Sequence, residues 1–485
     1  MKKILSILTL SLLVFTSCND VIDIEQPGTL LAENAFKTVE DVELAVNGIY
    51  NRLDNTSQIL FNAVYSDELA IGNDSGGQNV GSYSLVITAT SGFASGLWNG
   101  SYITLNRINK ILLAIENVTP SGTPETVRYN NARGELFAIR AYIHFKLLTY
   151  FSTDYTDDSA LGVIALTTIP GLNEDLPRNT NGEVYSLIDS DLTTASGLIS
   201  SATSRTFISD DFITALRARM AAYRGQYATA GSLANSLLTN YAIADQTQFF
   251  NMWNDSDDTE IIFELERNVG DSYDGQATGG GGWAGSLFAF VNSTLSGSPF
   301  MEMGISLEAQ LDASDIRRVT YLDPSSTFST PRVTLDDLVI RKYPGHGGQP
   351  LMNDIKIFRA AEMLLISAEA MADANNLGAT GVAGAIKQLR DARFGSAQAL
   401  PVYASQQEAF AAILAERRIE LAFEGHRWVD LKRLGARANV VMQRDAEDCA
   451  LYAACTLANG SFKYTMPIPL NQIDVDPALV QNPGY

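Results

Sequence analysis

The chain has 485 residues, with 55 acids against 34 lysines and arginines and a formal net charge of −21. So acidic a chain is a poor partner for nucleic acid, whose phosphates need cations. Its 46% hydrophobic content excludes an unfolded tail, and the length allows two or three domains.

The first residues read as an export signal. Lys2 and Lys3 form a basic head, Ile4 to Phe15 is mostly apolar, and Thr16 and Ser17 lead to Cys18. The apolar run is too short to span a bilayer. Small residues ending at a cysteine place Cys18 as a lipidation site; an ordinary signal peptide with a chance cysteine is the alternative reading. No other stretch is apolar and long enough to cross a membrane, so the acyl chains are the expected membrane attachment, as an anchor and not a span. The expected organisation is a signal peptide at 1–17, a lipidated lead-in at 18–36, and one α-rich domain at 37–485 with a loop-rich insertion at about 241–356.

Beyond the lead-in, Thr38 and Asp41 form a variant capping box ahead of a helix with Val42, Ala45, Val46, Ile49 and Leu53 on one face. Residues 71–92 are rich in Gly, Ser, Asn and Asp and favour turns. A long helix follows at about Trp98–Val118, and another at about Thr126–Phe151; the short turn between them makes them antiparallel neighbours. The segment from Asp211 to Asn240 carries small Ala218 and Ala222, a turn at Gly225, then Tyr227 and Ala230 opening a second helix. This is the logic of a tetratricopeptide hairpin. A similar pair spans Ile357–Asn375 and Val382–Arg393, giving up to four irregularly spaced pairs, with a generic bundle as the plainer alternative. The insertion holds one clear strand, Glu260 to Leu265, a few short strands at most, and four glycines just before Trp283.

The stretch ERRIELAFEGHRWVDLKRLG, Glu416 to Gly435, is dense in charge. Glu416, Glu420 and Glu424 share a helix face. Gly425 ends the first helix, and a second, ended by Gly435, carries Trp428, Leu431 and Leu434. The three histidines of the chain (His144, His346 and His426) lie far apart in sequence, and no HEXXH pattern exists. The segment therefore reads as a corner of two helices with paired arginines and glutamates over Trp428, and no catalytic or metal site is expected. Asp255, Asp257 and Asp258 lack the glycine and glutamate of a known calcium loop. Cys449 and Cys455, in an exported chain, are expected to close a small disulfide loop.

Residues Glu416, Arg417, Arg418, Glu420, Leu421, Ala422, Phe423, Glu424, Gly425, Arg427, Asp430, Leu431, Arg433 and Gly435 closely resemble the C-terminal signature of the SusD/RagB family. RAYIHFKLLTYFS at Arg140–Ser152, WNGSYITLNRINKIL, AAEMLLISAEA at Ala360–Ala370 and the closing MPIPLNQIDVDPALVQNPGY resemble other family segments, with Asn471 where glutamate is common. The resemblance implies a mostly α, tetratricopeptide-like scaffold. It also implies a surface lipoprotein of the outer membrane, facing the exterior, that delivers glycan, or in some members peptide, to a SusC-like TonB-dependent transporter. It implies neither catalysis nor a cofactor. Asp20, Asp23 and Glu25 after the lipid site fit a surface-export signal.

Sugar rings stack their C–H faces on aromatic rings while amides, acids and arginine take the hydroxyls. Such residues belong on loops held by a rigid scaffold. The first loop offers Asp74, Gln78, Asn79 and Tyr83. The second offers Tyr273, Asp274, Trp283 and Phe288, with Trp283 leading because four glycines leave it little local core; pinning the loop to the helices is its other reading. Arg341 and Lys342, near Gly345 and His346, offer a cationic contact for an acidic sugar. Trp98 and Trp253 are expected in the core. Hydrolysis would need a matched pair of carboxylates, and no motif supplies one.

Overall fold

A computed structural model describes residues 36–72, 75–171, 174–200, 204–271, 282–288, 299–329 and 337–485. The expected signal peptide, Cys18 and nearly all of the lead-in lie outside the described residues. The fold is mostly α, and its strands form small two-stranded sheets.

Helix α1 (Val39–Tyr50) starts as its capping box requires: Thr38 Oγ1 accepts from the Asp41 amide at 3.2 Å, and the Asp41 carboxylate accepts from the Thr38 amide at 2.8 Å. Helix α2 (Thr56–Val64) leads into β1 (Leu69–Ile71), the single turn α3 (Val80–Tyr83) and then α4 (Gly92–Ala114) and α5 (Gly122–Phe151). Both long helices begin earlier than the sequence suggests, at Gly92 and Gly122. Gly122, at φ 72, supplies the left-handed turn that opens α5.

Four consecutive pairs build the scaffold: α5 with α6 (Asn181–Leu198), α7 (Asp210–Tyr223) with α8 (Tyr227–Leu237), α12 (Ala360–Asp373) with α13 (Val382–Phe394), and α14 (Gln406–Glu420) with α15 (Arg427–Ala438). Small residues set their spacing. Ala218, Ala222, Ala230 and Ala234 are buried between α7 and α8. α8 meets α12 so closely that a Cβ on Gly231 would lie 2.6 Å from the Ala370 Cβ.

The region 241–356 is a loop-rich insertion with a few short strands and helices. It holds α9 (Gln246–Met252), β2 (Ile261–Leu265), β3 (Met301–Met303), α10 (Ile305–Glu308), α11 (Ile316–Tyr321) and the hairpin β4 (Gly345–His346) and β5 (Gln349–Pro350). β2 pairs antiparallel with β6 (Ile355–Arg359), which runs directly into α12, so the region is stitched to the scaffold at both ends. Charge completes the stitching. Glu260, from this region, takes Arg359 at 2.7 Å and Arg393 at 2.5 Å; Glu420 takes Arg317, Arg359 and Arg393; and Glu424 takes Lys342 and Arg359, each at 2.7 Å.

The charged corner is thus structural. α14 stops at Glu420, earlier than the glycine suggests, and left-handed Phe423 (φ 61) and Gly425 (φ 87) turn the chain into α15. Trp428 is fully buried, stacked on Tyr150 with centroids 5.7 Å apart and edge-on to Phe61. Gly435 does not end α15; it lies inside it, at a place where Asn459 Oδ1 would sit 2.5 Å from any Cβ, and left-handed Asn439 is the cap. Beyond it, β7 (Met442–Gln443), α16 (Ala446–Cys449) and β8 (Thr456–Leu457) surround a Cys449–Cys455 disulfide with Cα atoms 5.1 Å apart. After α17 (Leu470–Ile473), the chain ends with Asn482 Nδ2 on the carbonyls of Phe151 and Met466 at 2.9 and 2.7 Å.

Candidate functional site

The two expected ligand loops meet at their roots. β1 pairs antiparallel with β3, Leu69 opposite Met303 and Ile71 opposite Met301, and the Gly72 amide donates to the Phe300 carbonyl at 3.1 Å. A Cβ on Gly72 would lie 2.0 Å from the Pro299 carbonyl oxygen, so glycine is needed for this approach.

The leading aromatics are turned inward. Tyr83 has no exposed surface: the Arg444 guanidinium lies 3.7 Å from its ring centroid, Tyr452 meets it edge-on, and its hydroxyl donates to the Asp448 carbonyl at 3.1 Å. It fastens the first loop to the disulfide segment and presents no ring face to a sugar. Trp283 is 5% exposed, packed with Leu351 and Met352, and its Nε1 donates to the Asn268 carbonyl at 3.3 Å. Apolar partners that follow the β4–β5 hairpin, distant in sequence, bury it, as in the loop-pinning reading. Phe288 is also buried, against Tyr343 and Phe423. Asp74, Tyr273 and Asp274 lie outside the described residues.

The polar candidates are dispersed. Asn79 adopts a left-handed conformation (φ 59) ahead of α3, and its Nδ2 is buried with no hydrogen-bond partner among the described residues. Arg341 is held by the Val319 carbonyl at 3.2 Å, by Asp323 at 3.9 Å and over the Phe250 ring. Lys342 is buried, its Nζ on Glu424, so it is not available to an acidic sugar. Asp255, Asp257 and Asp258 turn to Lys356, the Thr259 amide and Arg205 respectively, and do not form an oxygen cage.

An open cleft of about 370 Å³ lies beside the segment that receives Trp283. Its walls include Asn47, Tyr50 and Asn51 from the end of α1, Phe207 from the approach to α7, and Glu266, Arg267, Asn268 and Asp271 after β2. Phe207 is 43% exposed and meets Tyr50 edge-on, with centroids 5.2 Å apart. Tyr50 is fixed because its hydroxyl donates to Glu135 at 2.7 Å and accepts from the Ile208 amide at 2.8 Å; burial pushes the Glu135 carboxyl up to about 7. Asn47, Asn51 and Asn268 are exposed around the rings. Asp271 is a turn acceptor, taking the Asn268 amide at 2.8 Å.

An exposed ring edged by amides can take an apolar sugar face and its hydroxyls together. Among the described residues, a small hollow at Asn55 and Gln58 also has rings, Tyr142, Phe145, Tyr150 and Tyr223, but all four are buried, and three other clefts lack the combination. One of about 380 Å³ beside Arg52, Ser101 and Lys146 has no aromatic wall, nor does the groove at Asp67, Arg418 and Arg444; the hollow at Phe462 and Tyr464 has no amide side chain. The sequence signal for Phe207 is a single aromatic two residues before the Ser209 cap, outside any helical stripe. The amides have no signal, because asparagine is common in turns.

A scaffold of irregular helix pairs, with a strand-stitched region carrying its loops, defines a class of binding scaffold, and comparison with known proteins shows what the chain is similar to. The SusD family matches residues 340–485, and a family described as "Starch-binding associating with outer membrane" matches residues 24–224. SusD-like protein P2 of Formosa agariphila is 26% identical over 546 residues, spanning 100% of both chains. SusD-like protein P38 of the same organism is 24% identical, over 90% of this chain and 92% of that one. A SusD superfamily protein from Bacteroides vulgatus superposes with a TM-score of 0.75 at 24% identity, over 93% of this chain and 100% of that one. A SusD-like carbohydrate binding protein from the same species gives 0.70 at 20% identity, over 92% and 98%. Models of the SusD family thus match both the N-terminal and the C-terminal part of the chain, and the chain is similar to SusD-like proteins along its length.

Proposed function

We propose that this protein is an outer-membrane lipoprotein, anchored through Cys18 and facing the exterior, that captures an oligo- or polysaccharide without altering it and passes it to a SusC-like TonB-dependent transporter. The match of residues 24–224 to a starch-binding, outer-membrane-associated family supports the carbohydrate and the location. Among the described residues no helix is long and apolar enough to cross a membrane, which accords with attachment by lipid. The observation that carries the reading is the half-exposed Phe207, edge-on to a fixed Tyr50 and bordered by Asn47, Asn51 and Asn268.

The test is retardation of the purified protein in gels containing a panel of polysaccharides, with calorimetry on the polysaccharide that retards it, beside Phe207→Ala and Trp283→Ala. Loss of one ring stack should weaken binding about tenfold in Phe207→Ala. Trp283→Ala should act on loop stability first, because the indole is packed and not presented. Glycan binding untouched by Phe207→Ala would remove the cleft from consideration. Capture of peptide mixtures with no retardation by any polysaccharide would instead favour the peptide-binding branch of the family.

A further inference from the structure

The β4–β5 hairpin carries a cluster that the cleft does not use. His346 on β4, Asp255 in the left-handed turn after α9 (φ 51) and Asp354 just before β6 each bring one ligand atom within 4.8 Å of the others. His346 Nε2 lies 3.8 Å from Asp255 Oδ2, is shielded from solvent, and has no hydrogen-bond partner among the described residues. All three residues are half-buried, with the Asp255 side chain itself nearly covered and His346 partly exposed at the rim.

Charge at this place is unbalanced. Asp255, Asp354 and Glu264 face a single ammonium, Lys356, which lies on Asp255 Oδ1 and 3.6 Å from Glu264. Arg267 contributes only its backbone amide to Asp354 Oδ1, at 2.7 Å; its guanidinium turns to the Leu53 carbonyl and Asp54. Two negative charges are left over, which one divalent cation would neutralise.

The carboxylates are also pre-oriented. Asp255 Oδ2 accepts from Asn353 Nδ2 at 2.7 Å and from the Asp354 amide at 3.1 Å, and Asn353 Oδ1 takes the Gly345 amide at 2.6 Å. Such outer bonds fix ligand direction at metal sites. A tetrahedral ion with bonds of about 2.0–2.1 Å needs donors roughly 3.3 Å apart. His346 Nε2 and Asp255 Oδ2 are close to that, and a half-ångström side-chain shift closes the difference.

We propose that Asp255, His346 and Asp354 form a binding site for one divalent transition-metal ion of the zinc type, with water completing the coordination. Imidazole nitrogen beside carboxylate oxygen selects such ions over calcium or magnesium, which prefer oxygen alone. The ion ties the hairpin to the turn after α9 and to the entry of β6. Leu351 and Met352, which bury Trp283, follow directly from the same hairpin, and Asp354 holds the amide of Arg267 in the cleft wall. A metal here therefore stiffens the support of the cleft, and the inference stands whether or not the cleft binds glycan. It departs from the sequence reading, which expected no metal.

The test is calorimetric titration of the chelator-stripped purified protein with Zn²⁺, Ca²⁺ and Mg²⁺, beside thermal unfolding and far-UV circular dichroism, for the native sequence and for His346→Ala and Asp354→Asn. One equivalent of Zn²⁺ should bind and raise Tm, while Ca²⁺ and Mg²⁺ leave Tm unchanged. His346→Ala, on a partly exposed hairpin, should keep the native spectrum and weaken Zn²⁺ binding about tenfold or more. Asp354→Asn serves as the second variant, retaining the shape of the side chain while removing its charge. No Zn²⁺ binding, or an affinity unchanged in both variants, overturns the site, as does a preference for Ca²⁺.

Discussion

The Arg393 guanidinium grips the Glu420 carboxylate through both oxygens, Nε to Oε2 at 3.0 Å and Nη2 to Oε1 at 2.8 Å, with neither side chain exposed. Glu420 closes the C-terminal end of α14, where the helix dipole disfavours an acid. Its ionised form persists because Arg393, Arg359 and Arg317 surround it, and they hold its carboxyl well below the usual range against the opposing effect of burial.

Removing that carboxylate leaves three buried cations short of a partner. Glu420→Ala is expected to lower unfolding stability by about 3–5 kcal/mol. Urea unfolding followed by tryptophan fluorescence measures it, and a loss near zero would show that the arginines re-pair without it.

Glu68 gives a pH dependence of a definite sign. Burial pushes its carboxyl up to about 8, despite Arg427 nearby. Its folded value lies above its unfolded one, so the folded state holds the proton more tightly through the intervening range. The contribution to stability is complete below the unfolded value and is lost as pH rises toward 8. Glu68→Gln, which stays neutral, should therefore gain stability relative to the native sequence between pH 5 and pH 8. Tm compared at those two values decides it; a constant difference would contradict the shift.

Gly72 stands where the roots of the two loops touch. Gly72→Ala drives a Cβ against the Pro299 carbonyl and is expected to cost about 1–3 kcal/mol. Hydrogen exchange should show the amides of β1 and β3 losing protection together, since they form one ladder.

The disulfide closes a short loop beside the residues that receive Tyr83. Replacing Cys449 and Cys455 together with alanine should cost about 2 kcal/mol, the loop-closure value for so short a ring. Because Tyr83 donates to the Asp448 carbonyl, exchange protection around α3 should fall as well. A variant with unchanged Tm and unchanged protection at α3 would separate the two features.

Much was determined by sequence alone. Apolar spacing placed the long helices, Thr38 and Asp41 placed the start of α1, and the small residues of α7 and α8 marked a closely packed pair. These signals are local: a helix repeats its buried face every three to four residues, and a cap acts within one turn. The charge-rich corner from Glu416 to Gly435 carries the family resemblance because its residues are contiguous in the chain, although partners such as Arg317, Arg359 and Arg393 come from far along it.

Tertiary structure decided which loop residues are free. Tyr83 and Trp283 stand among turn-forming residues, yet Arg444, Tyr452, Leu351 and Met352 arrive from far along the chain to cover them. Phe207, with no mark beyond its own aromaticity, stays 43% exposed because no described residue covers its outer face. Burial depends on what the rest of the chain brings to a side chain. For that reason the cleft of Phe207 and its asparagines, and the junction of Asp255, His346 and Asp354, exist only once the strands and helix pairs have met.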